Sequence, residues 1–195
     1  SGTLALGGVN TYTGGTTIRA GTLQISGSGS LGSGTYAGNI ANSGTLQYSS
    51  SATQTLSGVI SGSGALTKDT STSSVLTLSG TNTYTGVTTI SAGVLEATTL
   101  ANGGAASSIG QSTNVATNLV FGAPTATLRY TGSSNVTIDR GFTLSSGAGG
   151  GATIESSGSG TLTIDNTVAL VYGTTNQTRL LTLGGCQGAE VQLFD

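Results

Sequence analysis

Asp139 and Asp165 are the two residues with which this chain could best do chemistry, and 26 positions separate them. Each follows an isoleucine that reads as inward-facing, Ile138 and Ile164, so coils of about that length would stack both carboxylates, outward, on adjacent turns. Arg140 stands beside the first, and Glu155 could join them. A carboxylate pair is the machinery of glycoside hydrolysis, one group as acid and the other as base or nucleophile, and stacking would raise the pKa of one of them. The same positions earlier in the chain hold Ser57 and Ser79, however, so the favoured reading is a pair of solvated substitutions. The chain has no His, which removes the usual general base, the Ser-His-Asp triad and a zinc cage. Cys186 would need a basic partner to become a thiolate, and Arg179 is the nearest cation in sequence. It reads instead as a small buried thiol standing where a repeat has valine. The expectation is therefore no catalytic, cofactor-binding or metal-binding residue.

Composition narrows the partners. Five basic and seven acidic residues in 195 give a net charge of −2, with no Lys/Arg cluster to neutralise phosphates, so nucleic acid is not expected. A single Cys fits no disulfide framework. The longest apolar run, Val168 to Tyr172, is far short of the roughly 20 residues that cross a bilayer. The chain opens on SGTLALGG, with neither Met nor a signal peptide, and reads as a processed product or an excerpt. Its Gly, Ser and Thr content would suit a linker. Against that, Leu, Ile and Val recur at regular spacing, and Thr favours strands.

The elements that would position any site are short strands. Thr3-Leu4-Ala5-Leu6 alternates, Thr16-Thr17-Ile18 follows a turn-rich NTYTG, and Thr22-Leu23-Gln24-Ile25 follows the turn at Ala20-Gly21. Strands punctuated by glycine at this density suggest a coil of a β-solenoid. The stretch from Gly2 to Ile25 returns as Val75 to Ala97, with Tyr84 for Tyr12 and Ile90 for Ile18. Beyond it, Leu46-Gln47-Tyr48 corresponds to Leu128-Arg129-Tyr130, Thr55-Leu56 to Thr137-Ile138, and Leu76-Thr77-Leu78 to Leu162-Thr163-Ile164. The offset grows along the chain, as when insertions enter loops and strands persist. The organisation expected is one β-solenoid over 1–195, with unit one at about 2–73, unit two at about 74–165 and degenerate coils at 166–195. Lys68-Asp69 and the serines and threonines after them read as a polar connection. Leu4, Leu6, Leu23, Ile25, Leu76, Leu78, Leu162 and Ile164 should face inward.

The pattern G-x-L-x-L-x-G-x-N-T-Y-T-G-x-T-T-I-x-x-G-x-L resembles the autotransporter-associated β-strand repeat of bacterial passenger regions. Residues 2–23 match it fully, and 76–95 match from the first Leu onward. The resemblance implies an all-β, right-handed parallel β-helix, exported across the outer membrane of a Gram-negative bacterium and displayed at its surface. At roughly 20–25 residues a coil and about 4.8 Å between coils, this chain would make about eight coils. It implies a longer chain that includes a translocator, which this segment lacks.

Function follows as an expectation: a non-enzymatic stalk or adhesin scaffold whose partner is a host-surface glycan or protein, or another copy. The alternatives are a β-helical polysaccharide-acting enzyme fragment using Asp139, Asp165 and Glu155, and a spacer without a ligand. Tyr12 and Tyr84 are read as packing over Gly14 and Gly86 rather than as sugar platforms. The sequons at Asn135 and Asn176 carry no information in a bacterial export product, and the GSG tracts lack the Asp of calcium-binding nonapeptides. Thr11/Thr13 and Thr83/Thr85 recur too rarely for an ice-binding rank. Binding specificity is assigned to the diverged loops 97–108 and 145–152.

Overall fold

A computed structural model describes residues 2–70, 72–144, 151–165, 171–172, 179–185 and 191–194. Every strand-to-strand ladder in it is parallel, and successive strands in a ladder lie one coil apart in sequence. The chain is a three-faced β-solenoid. Its first face stacks eight strands: Thr3–Leu6, Thr22–Gly27, Thr45–Ser50, Ala65–Lys68, Thr88–Ile90, Leu119–Phe121, Thr143–Leu144 and Val171–Tyr172. The second stacks seven: Thr35–Tyr36, Gln54–Leu56, Val75–Leu78, Gly93–Ala97, Ala126–Tyr130, Gly151–Ser156 and Leu180–Gly185. The third has two separate three-stranded ladders, Thr16–Ile18 with Ile40–Asn42 and Ile60–Ser61, and Val136–Ile138 with Leu162–Asp165 and Val191–Phe194. Eight stacked strands bound about seven turns, one fewer than the coil length in sequence implied.

The alternation read from the sequence is the burial pattern. Ile25, Tyr48, Lys68, Ile90, Phe121 and Leu144 stand in register in one inward column, and all are buried. Leu76, Leu95, Leu128 and Ile154 form another on the second face. Each Leu or Ile so buried contributes about 1.5–3 kcal/mol. Of the expected inward residues, Leu23, Ile25, Leu76, Leu78, Leu162 and Ile164 are buried, and Leu6 is partly so. Leu4 is 62% exposed although it stands in register with Leu23. It belongs to the outermost strand of the first face, where no described strand covers it. The apolar cavity of about 630 Å³ beside Leu4, Leu6 and Tyr12 is this uncovered end of the stack.

Lys68 corrects the reading of a polar connection. It ends a strand, and its side chain is wholly buried between rungs.

The corners explain much of the glycine. A Cβ on Gly44, Gly64 or Gly86 would overlap the carbonyl oxygen of Gly21, Gly44 or Gly64 respectively, one rung before. Residues after these glycines bind across the same gap: Thr45 N–H to Gly21 O at 2.8 Å and Ala65 N–H to Gly44 O at 2.9 Å. The coils can close to hydrogen-bonding distance there because nothing projects between them.

The two signature copies do not stack on one face. Thr3–Leu6 and Thr22–Gly27 lie on the first face, but their counterparts Val75–Leu78 and Gly93–Ala97 lie on the second. Thr16–Ile18 is on the third face, and its counterpart Thr88–Ile90 is on the first. The weaker correspondences shift the same way: Leu46 to Leu128 moves from first to second, and Leu76 to Leu162 from second to third. Between the copies the chain makes three coils and one face more, so the second copy is turned by a third of a revolution. Within each copy the coil is the same length, 19 residues from Leu4 to Leu23 and from Leu76 to Leu95.

Candidate functional site

The signature corner is a set of rung-to-rung fastenings. Asn82 is fully buried. Its Oδ1 accepts the Ile60 N–H of the rung before at 2.8 Å, and its Nδ2 donates to Ser108 O of the rung after at 2.7 Å. Asn10, its counterpart, donates to Ser30 O at 3.2 Å, again one rung on. Two residues later the tyrosine turns its hydroxyl to the threonine four positions ahead, Tyr84 to Thr88 at 2.7 Å and Tyr12 to Thr16 at 3.1 Å. Tyr84 is fully buried. Burial pushes its hydroxyl pKa up to about 12, against the opposing pull of the Thr88 hydrogen bond and the Arg140 charge. Its ring lies against Gly110, whereas Gly86 closes on the backbone of Gly64 and Ala65, so the packing reading stands and the expected glycine does not. Tyr12 is 39% exposed and meets the ring of Tyr36 edge-on, centroids 5.5 Å apart.

The carboxylates are distributed differently from the catalytic alternative. Ile138 and Ile164 are in register, which puts Asp139 and Asp165 on adjacent rungs as the spacing implied. Glu155 is on the second face, not beside them. Asp139 accepts the Gly103 N–H at 2.7 Å and Asn114 Nδ2 at 3.2 Å, and its own N–H donates to Asn102 Oδ1 at 3.1 Å. Arg140 is buried and donates to the carbonyls of Ala101, Ser112, Ala105 and Gly110 at 2.8 to 3.2 Å. Burial holds its pKa below the ordinary guanidinium value, with Tyr84 and Asp139 acting the other way. Together these two residues clamp an insertion at about 98–118 that lengthens the coil from Thr88 to Leu119 to 31 residues. Asp165 is exposed.

Glu155 belongs to an outward charge ladder. Thr77, Glu96, Arg129 and Glu155 are in register on successive rungs. Arg129 Nη1 lies 3.0 Å from Glu96 Oε1, its Nε bonds Glu155, and Thr77 Oγ1 donates to Glu96 at 2.8 Å. Partial burial disfavours the guanidinium charge, but the two carboxylates outweigh it and raise the pKa.

Of the remaining sequence candidates, Asn135 accepts the Thr161 N–H at 2.9 Å through Oδ1, a bond between neighbouring coils. Cys186, the Asn176 sequon and most of the 145–152 loop lie outside the described residues. Lys68, Asn82 and the Arg140 clamp escaped the sequence reading. Period-two alternation from Leu66 was the one available signal for Lys68.

Two 19-residue coils of this parallel solenoid therefore carry the same fastened corner. Residues 1–25 and 73–97 match the passenger-associated transport repeat, so the chain carries two copies of that repeat. Over 95% of its length it is similar, at 37% identity, to part of the Adhesin BmaC autotransporter of Brucella suis biovar 1 (strain 1330). The chain spans 6% of that relative's length. No solved structure matches the chain.

Proposed function

We propose that the chain is a non-enzymatic segment of a surface-displayed passenger, an extended stalk and adhesin scaffold on the outer side of a Gram-negative outer membrane. The observation that carries this reading is the continuity of the stack. Parallel register runs along the first face from Thr3 to Tyr172, and an apolar core runs with it from Ile18 to Ile164. Two of the three carboxylates with catalytic chemistry are engaged in holding that stack: Asp139 fastens an insertion, and Glu155 is paired with Arg129. A longer chain with a translocator would carry the segment outward, and its partner would be a host glycan or protein or a second copy.

The test is binding of the purified chain to panels of glycans and host-matrix proteins, with the glycans analysed for cleavage. Saturable binding with intact glycans is expected. Absence of specific binding at every concentration would reduce the chain to a spacer, and cleavage lost on replacing Asp139 and Asp165 by Asn would make it an enzyme.

A further inference from the structure

Asn102 is the one asparagine of the chain that a glycine follows, and Asp139 grips both residues of the pair. The Asp139 carboxylate accepts the Gly103 N–H through Oδ1 at 2.7 Å, and the Asp139 N–H donates to Asn102 Oδ1 at 3.1 Å. A carboxylate thus rests on the main-chain nitrogen beside a side-chain amide, while a donor rests on the oxygen of that amide. Both contacts are held from other directions. Asp139 Oδ2 accepts Asn114 Nδ2 at 3.2 Å, and Arg140 Nη2 lies 3.5 Å from Asn102 O. A Cβ on residue 103 would overlap the backbone nitrogen of Asn114, so the packing requires glycine there. The same glycine leaves its own nitrogen unhindered toward the neighbouring amide. Asn102 itself is exposed.

We propose that Asn102-Gly103 is a self-modification site, at which Asp139 promotes closure of a succinimide ring with loss of ammonia. The Gly103 nitrogen attacks Asn102 Cγ as Asp139 takes the N–H proton, at a distance that suits a general base. The carbonyl electron pair moves onto Asn102 Oδ1, where the Asp139 N–H stabilises it. That pair then returns, the Cγ–Nδ2 bond breaks, and the amide leaves as ammonia with the proton that Asp139 held. Water reaching the exposed ring opens it at either carbonyl and leaves aspartate or isoaspartate at position 102. Nothing is oxidised or reduced, and water is the co-reactant. The change occurs once per chain, which is compatible with a scaffold that turns over no substrate. Its product sets a second carboxylate against Asp139, within the clamp on the insertion. Asn42, which precedes Ser43, lacks this arrangement. It is buried, its Oδ1 accepts the Gly44 N–H at 3.1 Å, and its Nδ2 is held by Ala65 O at 2.9 Å. The Ser43 N–H donates to the Ile18 carbonyl at 2.7 Å rather than to a carboxylate.

The test incubates the chain at neutral pH, folded and, for reference, unfolded in urea, and follows both by peptide mass spectrometry with detection of isoaspartate. Conversion at Asn102 should run about a hundredfold faster in the folded chain than in the unfolded one, and Asn42 should show no such acceleration. Asp139→Asn keeps an oxygen that can accept the Gly103 N–H but cannot take its proton. In that variant the rate at Asn102 should fall to that of the unfolded chain. Folded conversion no faster than unfolded conversion overturns the proposal, as does an Asp139→Asn variant that keeps the native rate. Should that variant release the insertion, the comparison of folded with unfolded native chain decides alone.

Discussion

Tyr12 and Tyr84 occupy one position of the repeat in two environments. Both bond the threonine four residues on, but Tyr84 does so in a sealed core while Tyr12 borders the uncovered end. Removing the Tyr84 hydroxyl should therefore cost about 1 kcal/mol of unfolding free energy, while Tyr12→Phe should stay within about 0.5 kcal/mol. Denaturant titration of the two variants would check this, and equal effects would contradict it. At this scale the sequence was partly legible. Repetition exposed the tyrosine as a packing residue, and alternation named part of the core, Leu23, Ile25, Leu76, Leu78, Leu162 and Ile164. Lys68 was misread because lysine beside aspartate looks solvated, and only the rungs on either side bury it. Asn82 looked like a turn residue, since its partners Ile60 and Ser108 are 22 and 26 positions away.

Among the elements, the insertion at 98–118 is the largest departure from the repeat, and it is ordered from outside itself. Growth of the alignment offset indicated only about six extra residues there, before Ile109. Its clamp was invisible because Asp139 and Arg140 reach back 25 to 39 residues. The pair that looked most like catalytic machinery thus includes a carboxylate that caps a loop. Arg140→Met should strip donors from several buried carbonyls and cost about 2–4 kcal/mol. Limited proteolysis should then cut first within 98–118 and leave the coils before it intact. Unchanged stability with an uncut insertion would mean that the loop holds itself.

Across the whole molecule, the repeat and the coil are separate periods. A unit of three and a third coils carries each signature to the next face, and the fold tolerates this because the faces make the same demand: apolar residues inward and close-stacking glycine at corners. Diverged loops at equivalent sequence positions are consequently carried around the stack, which suits a scaffold that presents surfaces in several directions. The sequence disclosed the repeat and the solenoid but not the rotation, because an alignment of two copies contains no information about the face on which each begins.

Disulfide trapping tests that arrangement most directly. Thr89 should neighbour Thr67 on the first face. Were the two copies in phase, it would follow its counterpart Thr17, which shares a third-face column with Ala41 and Ser61. In a Cys186→Ser background, the pair Thr67→Cys/Thr89→Cys should oxidise readily, since adjacent parallel rungs, about 4.8 Å apart, place Cα atoms within disulfide reach. The pair Ser61→Cys/Thr89→Cys should stay reduced. Efficient closure of the second pair and failure of the first would contradict the rotated solenoid.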